Sequence, residues 1–280
     1  MIPTTTVTAN LATVDFDYVA SQVLRRSAIV LNIEKQYLVT SRLSPVAREL
    51  GFADITELVT CARRANDEKI LARIVEAMTT NETSWFRDSH PFMTLHRKVL
   101  PDLLEHRSQA RSLRVWSAAC STGQELYSIA MLLDTEFPEV SNWSVALQGT
   151  DLSQEVLTKA RSGKYSGLEI NRGLPADKLV RYFERSGHEF LIAERLRRLT
   201  TWSTQNLIEP WPKNPKWDVI MLRNVLIYFD VDTKRKILDN IRDSLAPGGY
   251  LFLGASETTL GVMKGFVPVS DKNSVVYQAT

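Results

Sequence analysis

The spacing of apolar positions along this 280-residue chain changes near residue 112. Before that point apolar residues recur three and four apart. Phe16, Val19, Val23 and Leu24 make one stripe, Leu58 and Val59 a second, and Ile70, Leu71, Ile74 and Val75 a third. This is the period of helices with one buried face. Asp54 and Asp67 stand where N-caps would open the second and third of them. A further segment, Glu34 to Arg42, runs up to Ser44-Pro45, where the proline predicts the start of a new helix. Another helix is expected with Ser89 as its cap and Pro91 in its first turn, carrying Phe92, Leu95, Val99 and Leu103.

Beyond residue 112 short apolar runs take over: Arg114–Ala119, Trp143–Gly149, Arg198–Ser203, Trp217–Arg223, Gly249–Ala255 and Ser274–Gln278, with a further candidate strand around Val267. Helical patterns separate most of them, which predicts an α/β fold with a mostly parallel sheet covered on both faces. No helix separates the last two runs, so they fit an antiparallel edge pair. Residues 165–197 interrupt the alternation. Pro175 opens a short helix holding Leu179, Val180, Tyr182 and Phe183, Ser186-Gly187 makes a turn, and Phe190–Ile192 follows, which predicts a small inserted β-subdomain. The expected partition is a helical N-terminal domain over 1–80, a linker and first helix over 81–112, and an α/β domain over 113–280.

Composition changes this picture little. Hydrophobic residues make up 44% and charged residues 24% of the chain, as in a globular protein of one large or two modest domains. The net charge of +2 is too small to argue for nucleic acid. Cys61 and Cys120 make neither a metal spacing nor a disulfide framework, which suits a reducing cytoplasm. His90, His96, His106 and His188 show no ligand spacing. The N-terminus lacks the basic and apolar regions of a leader, and no run approaches the ~18 apolar residues a membrane span requires.

The chemistry begins at Leu113–Leu133, a buried strand, a turn of small residues ending at Gly123, and an amphipathic helix. In open α/β sheets ligands bind at the carboxyl end of such a strand. A dinucleotide fingerprint needs three glycines there, whereas this turn has Gly123 alone, with Ala118, Ala119, Cys120, Ser121 and Thr122. A nucleoside without phosphates, such as S-adenosylmethionine, asks less of the turn. An ordinary ligand-free βα turn is the competing reading.

Asp151 follows the second strand, where an acid binds ribose hydroxyls or simply caps the next helix. Glu125 sits three residues after Thr122, so Thr-Gly-Gln-Glu reads as a capping box, as a ligand contact, or as both. Asn206 and Leu207 follow the third strand and suit an adenine edge and face. Asn224 and Tyr228 lie in Arg223–Phe229, after the fourth strand, and would border the reacting end. A core aromatic with its hydroxyl in solvent is the other reading of Tyr228. In Thr79–Asp88, a polar run with Trp85 and Phe86, Arg87 is the one cation and its guanidinium matches a carboxylate. The alternative there is that the two aromatics join the domains and Arg87 lies at the surface.

TTNETSWFR (Thr79–Arg87), VWSAACSTG (Val115–Gly123), RNVLIYF (Arg223–Phe229) and LAPGGYLFLGASE (Leu245–Glu257) resemble the CheR-type chemotaxis-receptor methyltransferases, in order and spacing, from about residue 15 to the C-terminus. The resemblance implies a Rossmann-like class I methyltransferase sheet of seven strands, the last antiparallel, with a helical N-terminal domain and an inserted β-subdomain. It implies esterification of receptor glutamates with S-adenosyl-L-methionine, leaving S-adenosyl-L-homocysteine. It places cofactor contacts on Asn81, Thr83, Arg87, Glu125, Asp151, Asn206, Leu207, Asn224 and Val225, and sets Arg87 and Tyr228 beside the transferred methyl.

It also implies that the helical domain docks on the acidic methylation helices of the receptor. Between Tyr18 and Arg48, Arg25, Arg26, Lys35, Arg42 and Arg48 stand against the single acid Glu34; a solvated face is the bland alternative. Some members tether to a receptor C-terminal peptide through a longer glycine-rich loop. The short Arg185-Ser186-Gly187-His188 turn departs from that loop, so tethering is not expected here. A cytoplasmic monomer is expected. A nucleic-acid methyltransferase is disfavoured by the missing proline-aromatic strand end, and a nicotinamide dehydrogenase by the missing glycines. A non-catalytic S-adenosylmethionine-binding regulatory module is the alternative function.

Overall fold

A computed structural model describes residues 11–211, 215–257, 264–271 and 274–280. Most of the N-terminal stretch for which no leader is expected, residues 1–10, lies outside them. The chain divides into two compact units, one running up to Thr80 and including Tyr228–Asp230, the other formed by Asn81–Ile227 and Val231–Thr280.

The first unit is helical, with α1 (Thr13–Ser27), a short 3-10 turn (Ile33–Lys35), α2 (Gln36–Glu49), α3 (Ile55–Ala65) and α4 (Glu68–Met78). Its core is the set of apolar stripes: Phe16, Val19 and Val23 from α1, Val39, Leu43 and Val46 from α2, Leu58 and Val59 from α3, and Leu71, Ile74, Val75 and Met78 from α4. Asp54 accepts the Glu57 amide and Asp67 those of Lys69 and Ile70, so both caps form where the sequence places them. The break expected at Ser44-Pro45 does not occur, because α2 runs through Pro45. Val39 and Leu43 before the proline and Val46 after it are all buried, at roughly 1.5–3 kcal/mol each, which offsets the ~3 kcal/mol cost of an interior proline.

The second unit is built on a seven-stranded sheet. Its strands are β1 (Ser112–Ala118), β2 (Ser144–Asp151), β6 (Thr200–Thr204), β7 (Trp217–Leu222), β8 (Leu245–Leu253), β9 (Phe266–Asp271) and β10 (Ser274–Ala279), in the order β6-β2-β1-β7-β8-β10-β9. The first five are parallel, while β10 runs antiparallel to both β8 and β9. The expected sheet is therefore present, antiparallel end included. Alternate residues explain its two covered faces. Val115, Val219, Met221 and Phe252 join one core cluster, and Trp116, Ile220, Leu222 and Leu251 are buried outside that cluster.

Residues before β1 form α5 (His90–Thr94), a π-helical turn (Leu95–Val99) and α6 (Leu100–His106). The π turn ends just ahead of Pro101, which has no amide to continue the ladder. Ser89 stands at the N-cap but makes no side-chain cap bond, contrary to expectation. Its φ of +49° belongs to a tight turn in which Phe86 (+46°) and Asp88 (+66°) are also left-handed.

Between α8 (Gln154–Ser162) and β6 lies a three-stranded antiparallel sheet, β3 (Lys164–Ser166), β5 (Glu189–Ile192) and β4 (Phe183–Ser186), with α9 (Gly167–Ile170) and α10 (Ala176–Tyr182). Trp85 anchors it. The indole packs edge-on against Tyr165 and Phe183 and donates to the Glu169 carbonyl, and the Trp85 amide donates to Arg172. Gly173 is required there, since a Cβ would come 2.4 Å from the Trp85 carbonyl oxygen. Trp85 therefore binds its own loop to the inserted sheet.

Candidate functional site

The carboxyl ends of β1, β2, β6, β7 and β8 form one edge of the sheet, and the sequence-derived candidates in this unit belong to that edge or to the loop 81–88. After β1 the chain turns through Ala119 (φ +60°), Ser121 (+52°) and Gly123 (+91°). This aims the Ser121 amide at Asp151 Oδ2, 2.8 Å away, while the Ser121 hydroxyl donates to the Asn81 carbonyl at 2.7 Å. Asp151 ends β2, is buried, and accepts the Ser153 amide on its other oxygen at 3.0 Å. The cap of α8 is Ser153, whose hydroxyl receives the Val156 amide. Asp151 thus sits upstream of the cap, locked at the strand tip by two amides. The close approach at Gly123 has a structural cause, because a Cβ would meet the Trp202 indole at 2.7 Å.

The capping box expected from Thr122 and Glu125 does not form. Helix α7 (Gln124–Glu136) starts from Gly123 with no side-chain cap, and the Thr122 hydroxyl bonds Gln124 instead. Glu125 turns toward the sheet, where Oε1 accepts from the Ser117 hydroxyl at 2.8 Å and Oε2 from Arg223 Nη1 at 2.9 Å. Arg223 also reaches Asp88 Oδ2 at 2.6 Å and the Arg87 carbonyl at 3.0 Å. One buried guanidinium thereby joins the tip of β7, the first turn of α7 and the loop 81–88. Arg87 is half-buried and donates to the Glu82 carbonyl at 2.8 Å; Asn81 and Thr83, on the same loop, are half-buried too.

After β6, Asn206 bonds Glu209 and the Ile208 amide, and Leu207 is buried. The Trp211 indole holds the Leu207 carbonyl at 3.2 Å and packs edge-on against Trp116. After β7, the amides of Asn224 and Val225 point at the Glu257 carboxylate, 2.8 Å from each. Tyr228 closes a 3-10 turn (Leu226–Tyr228), is half-buried, and groups with the helical unit. In that unit Arg25, Lys35 and Arg48 are exposed. Arg26 is paired with Glu68 at 2.7 Å, and Arg42 donates to the carbonyls of Met78 and Thr79, closing the end of α4.

Sequence reasoning assigned no role to Arg223, Ser117, Asp88 or Glu257. A signal existed for the first, since an arginine ending the apolar strand Trp217–Leu222 must be paired if it is buried.

The donor set selects among nucleotide-type ligands. Amides at strand tips are what cradle phosphates, yet Ser121 spends its amide on Asp151, and Asn224 and Val225 spend theirs on Glu257. Carboxylates dominate instead. Burial, and after it the charges of Asp151 and Glu125, push the Cys120 thiol well above its ordinary pKa. Hydroxyl-accepting carboxylates in a negative field fit the ribose and sulfonium of S-adenosylmethionine. Among the described residues no group of His, Cys, Asp or Glu could hold a metal ion.

Comparison with known proteins agrees. Residues 14–79 match the CheR methyltransferase all-alpha domain, and residues 81–274 the CheR methyltransferase SAM binding domain. The chain is 40% identical over 271 residues to the chemotaxis protein methyltransferase Cher2 of Pseudomonas putida, covering 95% of this chain and 98% of that one. It is 39% identical to chemotaxis protein methyltransferase 1 of Pseudomonas aeruginosa (96% and 98% covered) and 36% identical to the chemotaxis protein methyltransferase of Salmonella typhimurium (91% and 88% covered). This chain belongs to the CheR methyltransferase family.

Proposed function

We propose that this chain methylates glutamate side chains of methyl-accepting chemotaxis receptors in the cytoplasm, with Asp151 as the anchor of the cofactor ribose. Bound S-adenosylmethionine supplies a sulfonium-activated methyl group. Asp151 accepts the two ribose hydroxyls; Asn206 and Leu207 hold the adenine edge and face; Asn224 and Val225 contact the cofactor, Asn224 toward its reacting end. Asn81, Thr83, Arg87 and Glu125 hold the amino-acid end, where the guanidinium of Arg87 pairs with a carboxylate and the carboxylate of Glu125 with an ammonium group. Arg87 borders the methyl. A glutamate of ordinary pKa, about 4.3, is already ionised at neutral pH, so the reaction needs alignment and dehydration of the nucleophile and no general base.

The observation that carries this reading is the buried Asp151 at the tip of β2, fixed by the amides of Ser121 and Ser153 in a carboxylate-rich field. The receptor side rests on Arg25, Lys35 and Arg48, the exposed part of the basic set, facing acidic methylation helices. No helix among the described residues is long and apolar enough to cross a membrane. The inserted sheet turns through Gly187 and His188 between β4 and β5, and this short turn supports a reading without peptide tethering.

The test is transfer of labelled methyl to receptor-rich membranes. Base-labile label on the receptor, lost with D151A together with calorimetric binding of S-adenosylhomocysteine, is the expected result. Binding without any transfer would leave only a regulatory module.

A further inference from the structure

Glu257 follows β8 in Gly254-Ala255-Ser256-Glu257, and its carboxylate collects four backbone amides. Oε1 accepts from Val225 at 2.8 Å and Leu226 at 2.6 Å; Oε2 accepts from Asn224 at 2.8 Å and Gly254 at 2.6 Å. Four donors fill the lone pairs of a carboxylate. Three of the amides are consecutive, and consecutive amides converge on one point only when the backbone leaves the extended region. Asn224 does so, with φ +58°. The result is an anion-binding nest whose anion is supplied by the chain itself. Gly254 is part of the fit. A Cβ there would lie 2.7 Å from Glu257 Oε2 and 2.9 Å from the Asn224 amide nitrogen.

Without this carboxylate, three donors of the loop after β7 would seek water or one another, and a left-handed asparagine would have no reason to persist. We propose that Glu257 is a positioning residue, whose carboxylate holds Asn224 and Val225 in the conformation that receives S-adenosylmethionine. The proposal rests on the assignment of Asn224 and Val225 to the cofactor. Glu257 itself acts through the loop, by spending the amides that would otherwise make the strand tip a phosphate cradle.

The test uses E257Q, which replaces one doubly accepting oxygen with an NH2 group facing two amides, and G254A, which pushes the carboxylate out from behind. Three quantities are measured on each full-length protein: calorimetric affinity for S-adenosylhomocysteine, hydrogen exchange of the ligand-free protein, and the split between kcat and KM. The expected result is affinity weakened at least tenfold, faster exchange at residues 224–226 with β7 unchanged, and a raised cofactor KM with most of kcat retained at saturation. If E257Q does not fold, G254A carries the same expectation. Unaltered affinity in a folded variant overturns the proposal, as does exchange accelerated equally throughout β7 and β8, which would mark a purely structural residue. Wild-type protein that fails to bind S-adenosylhomocysteine overturns the functional reading itself, an outcome separate from any effect of the variants.

Discussion

Arg223 Nη1 lies 2.9 Å from Glu125 Oε2, and the two residues, 98 positions apart in sequence, close a buried ionic contact at the tip of the sheet. The Arg223 side chain is 2% exposed and the Glu125 side chain 13%, so neither charge is solvated enough to stand alone. Asp88, the second carboxylate on Arg223, is 42% exposed and tolerates the loss of its partner better. Removing the guanidinium from a buried pair costs several kcal/mol because the remaining charge stays buried.

We therefore expect R223A to lose about 3 kcal/mol in urea unfolding, the lower end of the range for a broken buried pair, given the exposure of Asp88. R223K should recover only part of it, because an ammonium cannot serve two carboxylates and a carbonyl in the plane of a fork. Methyl transfer should fall in both variants, since Arg223 also holds the Arg87 carbonyl and with it the loop 81–88. Wild-type stability in R223A would show that the contact is dispensable.

Arg87 should behave in the opposite way. Its guanidinium is half-buried and donates to a nearby carbonyl of its own loop, so R87A should change unfolding free energy by less than about 1 kcal/mol. Turnover should fall about 100-fold, the scale of loss when a positioning group is removed. A raised KM for S-adenosylmethionine would assign the guanidinium to the cofactor carboxylate, and a raised KM for receptor to the nucleophile. Unchanged turnover at saturating cofactor would remove Arg87 from the reaction.

The sheet was readable because its strands are apolar runs whose alternate residues fill two different cores, so composition and period carry the same message. The caps at Asp54 and Asp67 were readable because a cap is a local event within three residues. Local reasoning failed where a distant partner outbid it. Ser89 sits in a left-handed turn, Pro45 is carried inside a helix by burial on both sides of it, and Glu125 abandons the capping box for Ser117 and Arg223. The partners of Arg223 and the role of Glu257 were not legible for the same reason. Each acts on groups brought near only by the order of strands in the sheet, β1 beside β7 and β7 beside β8.

The basic set of the helical unit divides into two groups that charge reversal should separate. Arg42 donates 2.8 Å and 3.0 Å bonds to the last carbonyls of α4, so R42E should lower stability before it says anything about docking. Arg25, Lys35 and Arg48 are exposed, and reversing all three should leave the melting temperature within a few degrees. Receptor methylation by that triple variant should slow at low ionic strength, and the deficit should shrink as salt screens the surface. Wild-type rates at low salt would remove this face from receptor recognition.

Cys120 gives a reading of the site that needs no substrate. Its thiol is buried behind the β1 turn, and burial, then Asp151 and Glu125, raise its pKa well above the ordinary value. The folded protein therefore holds the thiol proton more tightly than the unfolded chain, whose cysteine titrates near about 8.5. Stability from this difference is fully present below about pH 8.5 and is lost as pH rises through the interval toward the folded-state value, at up to about 1.4 kcal/mol per pH unit. Tyr127 and Tyr165 are shifted upward as well, so the window in which the thiol dominates lies below about pH 10, where an unfolded tyrosine begins to titrate. Between pH 8.5 and 10 the wild-type protein should lose stability faster than C120A in urea unfolding. A thiol reagent at pH 8.5 should label half-buried Cys61 quickly and Cys120 only after denaturation. Prompt double labelling of the native protein, or parallel pH profiles for wild type and C120A, would show that the β1 turn leaves Cys120 open to solvent.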